Sequence, residues 1–215
     1  LSFLKISISR FGGKVFFKVL IGSYRTPKEE KLVLMLLDLK SSTTIAEKIG
    51  HFNYSKFIQE CFSDLNQITE KYNVDIHQYV GDEAVITWTY NKGVRENNCL
   101  KIFFAFQEAL LKKNTKYLEK YGFAPIFKAG IHGGQLMTTE VGTVKKQISY
   151  LGDVINATAR IQSKCNEYNQ QLIISETVLN DIDLDDNFVT EDLGELSLRG
   201  KSEQLKLLGI KNLPE

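Results

Sequence analysis

Two aspartates stand where apolar runs give out: Asp38 in Leu36-Leu37-Asp38-Leu39-Lys40-Ser41-Ser42-Thr43, and Asp82 in Gln78-Tyr79-Val80-Gly81-Asp82-Glu83. A carboxylate at a strand end is held rigidly yet faces solvent. Two such groups can hold paired divalent cations that clamp the attacking and leaving oxygens of a phosphoryl displacement. Residues 39–44 lead from the first strand into a helix, so their N–H groups make a ready anion site at the helix N-terminus. No G-x-x-x-x-G-K-[ST] occurs in the chain, so phosphate binding there rests on metal, amides and the Thr43 hydroxyl. Asn156 and Arg160 lie four apart and share one helix face with Ser163 and Lys164. Arg160 offers a planar fork of donors to an α-phosphate, and Asn156 a donor to a ribose or phosphate oxygen. The constellation reads as a nucleotidyl-transfer site built around divalent metal.

Each part also has a plainer reading. Asp38 alone serves as a strand-end or helix-capping carboxylate, Asp82 as a turn residue, and the Asn156–Arg160 face as solvated polar surface. Their combination depends on the elements that position them. Residues 32–37 are a short continuous apolar run, as in a buried central strand ending at Asp38. Ser41 to Thr44 supply capping residues, and Thr44-Ile45-Ala46-Glu47 has the capping-box pattern that opens a helix. Tyr54, Phe57, Ile58, Cys61, Phe62, Leu65 and Ile68 continue it, with an interruption near Gly50. Val74, Ile76, Gln78 and Val80, then residues 84–88, read as two strands around a tight turn.

A second long helix is expected over residues 96–120, and a strand over 124–137 broken by Gly130, Gly133 and Gly134. A short strand follows at 147–150, then a helix from Gly152-Asp153 that buries Val154, Ala157, Ile161 and Cys165. Strands at 172–174, 188–198 and 204–210 complete the chain, the last two around a turn at Arg199-Gly200-Lys201. The expected fold is therefore α+β: a ferredoxin-like β-α-β-β-α-β core within residues 32–138, with a C-terminal β/α extension. In that core the first strand and the following hairpin are neighbours, so Asp38 and Asp82 reach one spot. Unneutralised carboxylates repel at close range, and a divalent cation is the simplest neutraliser.

With 215 residues, 43% apolar and 25% charged, the chain suits one globular domain. Its net charge of +1 steers the whole toward neither nucleic acid nor membrane. The longest apolar run, residues 32–37, is far short of the roughly 20 residues a membrane-spanning helix requires. Residues 1–30 form a basic, aromatic N-terminal linker or arm, and 31–215 the catalytic domain. The start at Leu1 points to a fragment of a longer protein with a membrane or sensor domain upstream. The arm then reads either as a juxtamembrane linker meeting anionic lipid or as an amphipathic arm folded onto its own domain. Cys61, Cys99 and Cys165 lack zinc-site spacing and read as packed free thiols of a cytoplasmic domain, and His51, His77 and His132 are scattered.

Five motifs occur in one order: Leu37-Asp38-Leu39-Lys40-Ser41-Ser42-Thr43, Tyr79-Val80-Gly81-Asp82-Glu83, Lys128-Ala129-Gly130-Ile131-His132-Gly133-Gly134, residues 150–160 from Tyr150-Leu151-Gly152-Asp153 to Asn156 and Arg160, and Leu198-Arg199-Gly200-Lys201. Over residues 30–211 the chain thereby resembles the catalytic domain of class III nucleotidyl cyclases, the adenylate and guanylate cyclases. The resemblance implies a head-to-tail homodimer with active sites at the interface. One subunit would hold two Mg²⁺ or Mn²⁺ ions through Asp38, Asp82 and the Leu39 carbonyl. The other would supply Asn156 and Arg160 to the transition state. Ser42 and Thr43 belong to the phosphate-binding segment, Arg199 matches a family lysine that contacts the terminal phosphates, and Lys145 or Lys146 lies near another basic triphosphate contact. The family's base-reading positions fall on Gln78 and Ser149, which depart from its usual residues; the neutral amide fits adenine without excluding guanine or a pyrimidine. The implied reaction turns a nucleoside triphosphate, ATP by preference, into its 3′,5′-cyclic nucleotide and pyrophosphate. Two alternatives stand beside it. Gly81-Asp82-Glu83 resembles part of the GGDEF signature of diguanylate cyclases, and a silent dimerisation or nucleotide-sensing domain would also keep the fold.

Overall fold

The computed structural model describes residues 22–144, 146–197 and 204–213. Residues 1–21 of the arm, Lys145, Arg199 and the turn at 199–201 lie outside them. The central strand β1 (Lys28–Leu39) pairs antiparallel on one side with β3 (Glu83–Thr89) and on the other with β4 (Phe127–Val141). It is buried on both faces, which is why residues 32–37 are uniformly apolar instead of alternating. Val33, Met35, Leu37 and Leu39 face one large core, while Leu32 and Leu34 face a smaller one with Leu136 and Val154.

The large core lies under α1 (Ser42–Ile68), α3 (Asn98–Lys112) and α4 (Asn114–Tyr121). A short helix α2 (Tyr90–Val94) and a 3₁₀ turn at Arg95–Asn97 lead from β3 into α3. Fully buried rings such as Phe57, Phe103 and Phe106 dominate this core, each contributing roughly 1.5–3 kcal/mol by leaving water. The helix expected to open at Thr44 opens at Ser42, with Ser41 in a left-handed conformation (φ 59°) and no side-chain cap. The expected interruption is present: Gly50 has φ 75° and ψ 156° inside α1.

The single helix expected over 96–120 is instead two, because Lys113 leaves helical geometry (φ −104°, ψ 9°). Asp64 supplies the reason. It accepts from Lys113 Nζ and, over 3.1 Å, from the Tyr117 hydroxyl, turning α4 so that Tyr117 and Tyr121 meet the edge of Phe57.

The sheet has eight strands in the order β2 (Asp75–Val80), β3, β1, β4, β6 (Leu172–Ser175), β8 (Gln204–Asn212), β7 (Phe188–Ser197), with β5 (Gln147–Leu151) paired to β4. Its first four members are β2, β3, β1 and β4, and with α1 and the α3–α4 pair they complete the ferredoxin-like core. The extension comprises α5 (Asp153–Ser163), β6, a short α6 (Glu176–Leu179), β7 and β8. Only β4–β6 is parallel among these pairings, and α5 lies in the crossover that a parallel pair requires.

The expectation that glycines break β4 is corrected: the strand runs without interruption through Gly130, Gly133 and Gly134. These glycines make room for neighbours. A Cβ on Gly130 would lie 2.4 Å from the Gln162 backbone nitrogen, so α5 sits directly on the strand there. Among the described residues no helix is long and apolar enough to cross a membrane.

Candidate active site

Alternation along β1 sends Leu37 and Leu39 into the helix-covered core, and Asp38 therefore emerges on the face that carries α5. The β1–β3 register places Asp38 opposite Glu83. Gly81 and Asp82 form the tight turn between β2 and β3, and Gly81 has the left-handed φ of 62° that glycine adopts without strain. Asp82 is thus one residue from the partner of Asp38, and the structure brings the two acids together as their spacing predicted.

Three carboxylates crowd this corner. Burial raises the pKa of Asp38, Lys128 opposes the rise, and the Asp82 charge reinforces it. Glu83 is raised by burial first, then by the charges of Asp38 and Asp82. Lys128 Nζ lies 3.3 Å from Asp38 Oδ2, and Gln162 Nε2 donates to the same oxygen over 2.9 Å. Tyr54, read from sequence only as an apolar stripe member, lies within electrostatic reach of Ser42 and Asp82. Burial, then the Asp82 charge, pushes its hydroxyl up to about 12.

The N-terminus of α1 faces the same corner. The first N–H to bond back within the helix is that of Ile45, to Ser41 O over 3.0 Å, so the preceding amides remain available. Ser42 is half-buried there and Thr43 exposed.

Asn156 and Arg160 lie on α5 but not in this corner. Gln162 is the α5 residue that turns toward Asp38. Arg160 and Asn156, two and six residues earlier, lie roughly 160° and 120° from it round the helix. Among the described residues no hydrogen bond or ion pair engages either side chain. Gln78 is exposed on β2 and Ser149 half-buried on β5. Their strands meet through the rings of His77 and Tyr150, whose centroids are 4.2 Å apart. Lys146 is paired with Glu140 across the β4–β5 hairpin at 2.7 Å.

The donor set fits a divalent cation: hard oxygens, excess negative charge and one lysine as counter-charge. Among the described residues no group of three or more His, Cys, Asp and Glu side chains is arranged to hold a metal ion. A cavity of about 490 Å³ borders Lys40 and Lys128 on the far side, between Phe104, Cys165 and Ile210, and includes neither acid. Asp38 and Asp82 are both half-buried. Sequence reasoning missed Lys128, Gln162 and Tyr54. The available signal was a polar residue, Gln162, within the buried stripe of α5.

Comparison with known proteins bears on the family and the fold. Residues 24–209 match the family described as adenylate and guanylate cyclase catalytic domain, and the chain belongs to that family. It is 33% identical over 199 residues to adenylate cyclase 2 of Rhizobium meliloti (strain 1021), covering 93% of this chain and 55% of that protein. The chain thus spans about half the length of this relative. Among solved structures, a bacterial light-regulated adenylyl cyclase superposes with a TM-score of 0.82 at 15% identity, over 97% of this chain and 60% of that one. The adenylyl cyclase CyaB from P. aeruginosa gives 0.75 at 15% identity, over 87% and 97%. The fold is that of the class III cyclases.

Proposed function

We propose that this domain is a metal-dependent nucleotidyl cyclase that converts a nucleoside triphosphate, ATP foremost, into the 3′,5′-cyclic nucleotide and pyrophosphate. The observation that carries the reading is the convergence of Asp38 and Asp82 beside the open N-terminus of α1, an anion site next to a cation site. The name of the 33%-identical relative supports ATP. Asp38, Asp82 and the Leu39 carbonyl would hold two Mg²⁺ or Mn²⁺ ions. Bound there, they would neutralise the triphosphate and favour ionisation of the attacking 3′-hydroxyl.

The remaining work falls to the chain itself. Amides at the start of α1, with Ser42 and Thr43, hold phosphate oxygens. Arg160 and Asn156 steady the charge that develops at the α-phosphorus. Because both turn away from Asp38 on their own helix, they serve the acids of a second copy, and the working unit is a head-to-tail homodimer with two composite sites. Gln78 and Ser149 flank the base, which the contact of β2 with β5 supports. Lys145, Lys146 and Arg199 are assigned to the outer phosphates; Lys146 must first leave Glu140.

The test is incubation of the purified protein with each of four nucleoside triphosphates and Mn²⁺, followed by mass spectrometry. Cyclic AMP should be the main product. Absence of any cyclic mononucleotide would make this a silent member of the fold, and a linear or cyclic dinucleotide would favour the diguanylate reading.

A further inference from the structure

Asp38 is fixed by a residue outside its own strand. Position 162 belongs to the buried stripe of α5, with Val154, Ala157, Thr158 and Ile161, where packing alone favours an apolar side chain. A glutamine stands there, 8% exposed, and the hydrogen bond that its side-chain nitrogen makes is to Asp38 Oδ2. The amide has little freedom to drift. α5 rests on β4 so closely that even a methyl group on Gly130 would meet the Gln162 backbone, with contacts of 2.4 Å to its nitrogen and 2.7 Å to its Cα. The helix is thereby locked against the strand that carries Lys128, the other partner of Oδ2.

We propose that Gln162 is a positioning residue for cation binding: with Lys128 it engages Oδ2, sets the rotation of the Asp38 carboxylate, and leaves Oδ1 as the oxygen that meets the metal. The proposal rests on the reading of Asp38 as a cation ligand. The two donors differ in what they contribute. Lys128 offsets the repulsion felt by Asp38 but subtracts a unit of charge from the site. Gln162 orients the acid without that subtraction, because an amide is neutral. An outer partner of this kind tunes metal affinity by orienting the ligand, and its loss typically weakens binding 10–100-fold. α5 also carries Asn156 and Arg160 on its other side, so one rigid helix would seat the acid of one site and supply the donors of the next.

The experiment is a titration of Mn²⁺ into the dimer, following free Mn²⁺ by electron paramagnetic resonance, for the native protein, Gln162→Leu and Asp38→Asn. Thermal melting in EDTA runs alongside. Gln162→Leu should weaken Mn²⁺ binding about tenfold and raise the Mn²⁺ concentration for half-maximal turnover by the same factor. Its melting temperature in EDTA should hold, since leucine suits the apolar stripe. If Gln162→Leu does not fold, Gln162→Met keeps the length without the donor and is read in its place. Unchanged Mn²⁺ binding in the glutamine variant, alongside lost binding in Asp38→Asn, would overturn the proposal while sparing the metal site. Unchanged binding in both would overturn the metal site as well.

Discussion

Three acids and one lysine share the corner at the end of β1, where burial first, and then the neighbouring carboxylate charges, raise the pKa of Asp38 and of Glu83, with Lys128 opposing the rise at Asp38. A folded protein keeps such repulsion where a ligand relieves it. Asp82 is a half-buried turn residue near the Tyr54 hydroxyl, so its contribution to folding is small. Asp82→Ala should therefore lower metal-dependent turnover by on the order of 10²–10³-fold while circular dichroism and melting remain native. Loss of the fold instead would make that carboxylate structural. The two aspartates were legible in the sequence because each sits at the end of a β-patterned run, a local signal. Gln162 was not, because its bond to Asp38 spans 124 residues and depends on how α5 lies across β4. Tyr54 was hidden by its own amphipathic nature: helical spacing placed it in the apolar stripe, and its hydroxyl emerges at the acids.

Elements carry the second lesson, most clearly in β4. Glycine usually weakens a strand, and three glycines in residues 130–134 read locally as a break. Tertiary packing reverses the sign, since Gly130 lets α5 touch the strand and Gly133 lies against Leu32 O and the Tyr90 ring. Gly130→Ala should destabilise the domain by roughly 1–3 kcal/mol or more and lift α5 from the sheet, measurable as a lower melting temperature with cyclase activity reduced in step. A melting temperature equal to the native one would mean that helix and strand are not in such close contact. The β2–β5 contact makes a separate prediction. Burial depresses His77 from its usual 6.5 to about 4, so the folded protein resists its protonation. That contribution is full above pH 6.5 and is lost progressively as pH falls toward 4. The raised carboxylates act in the opposite direction, so the measurement is a difference: native stability minus that of His77→Phe should shrink between pH 7 and pH 4.5. A flat difference would show that His77 is solvated. The order of elements was readable because helical and strand periods differ sharply. The split at Lys113 was not, because it depends on Asp64, an acid on a different helix.

At the scale of the whole molecule, one face of the sheet is covered by α1, α3 and α4, and α5 covers only part of the other. Asp38 lies on the α5 side of the sheet, where Gln162 meets it, and Asn156 and Arg160 point away from it. On the proposed reading a single chain would hold two halves of a nucleotidyl-transfer site that do not face each other, and a head-to-tail pair of chains would join them twice over. This division was foreshadowed in the sequence only through the resemblance to class III cyclases, since spacing alone gives no direction to a helix face. The most direct test mixes Asp38→Ala with Arg160→Ala subunits, each inactive alone, and measures cyclic nucleotide formation after heterodimers are confirmed by mass. Sharing across the interface predicts recovery of about a quarter of native activity, because half of the dimers are mixed and each mixed dimer keeps one intact site of two. No recovery in confirmed heterodimers would contradict it.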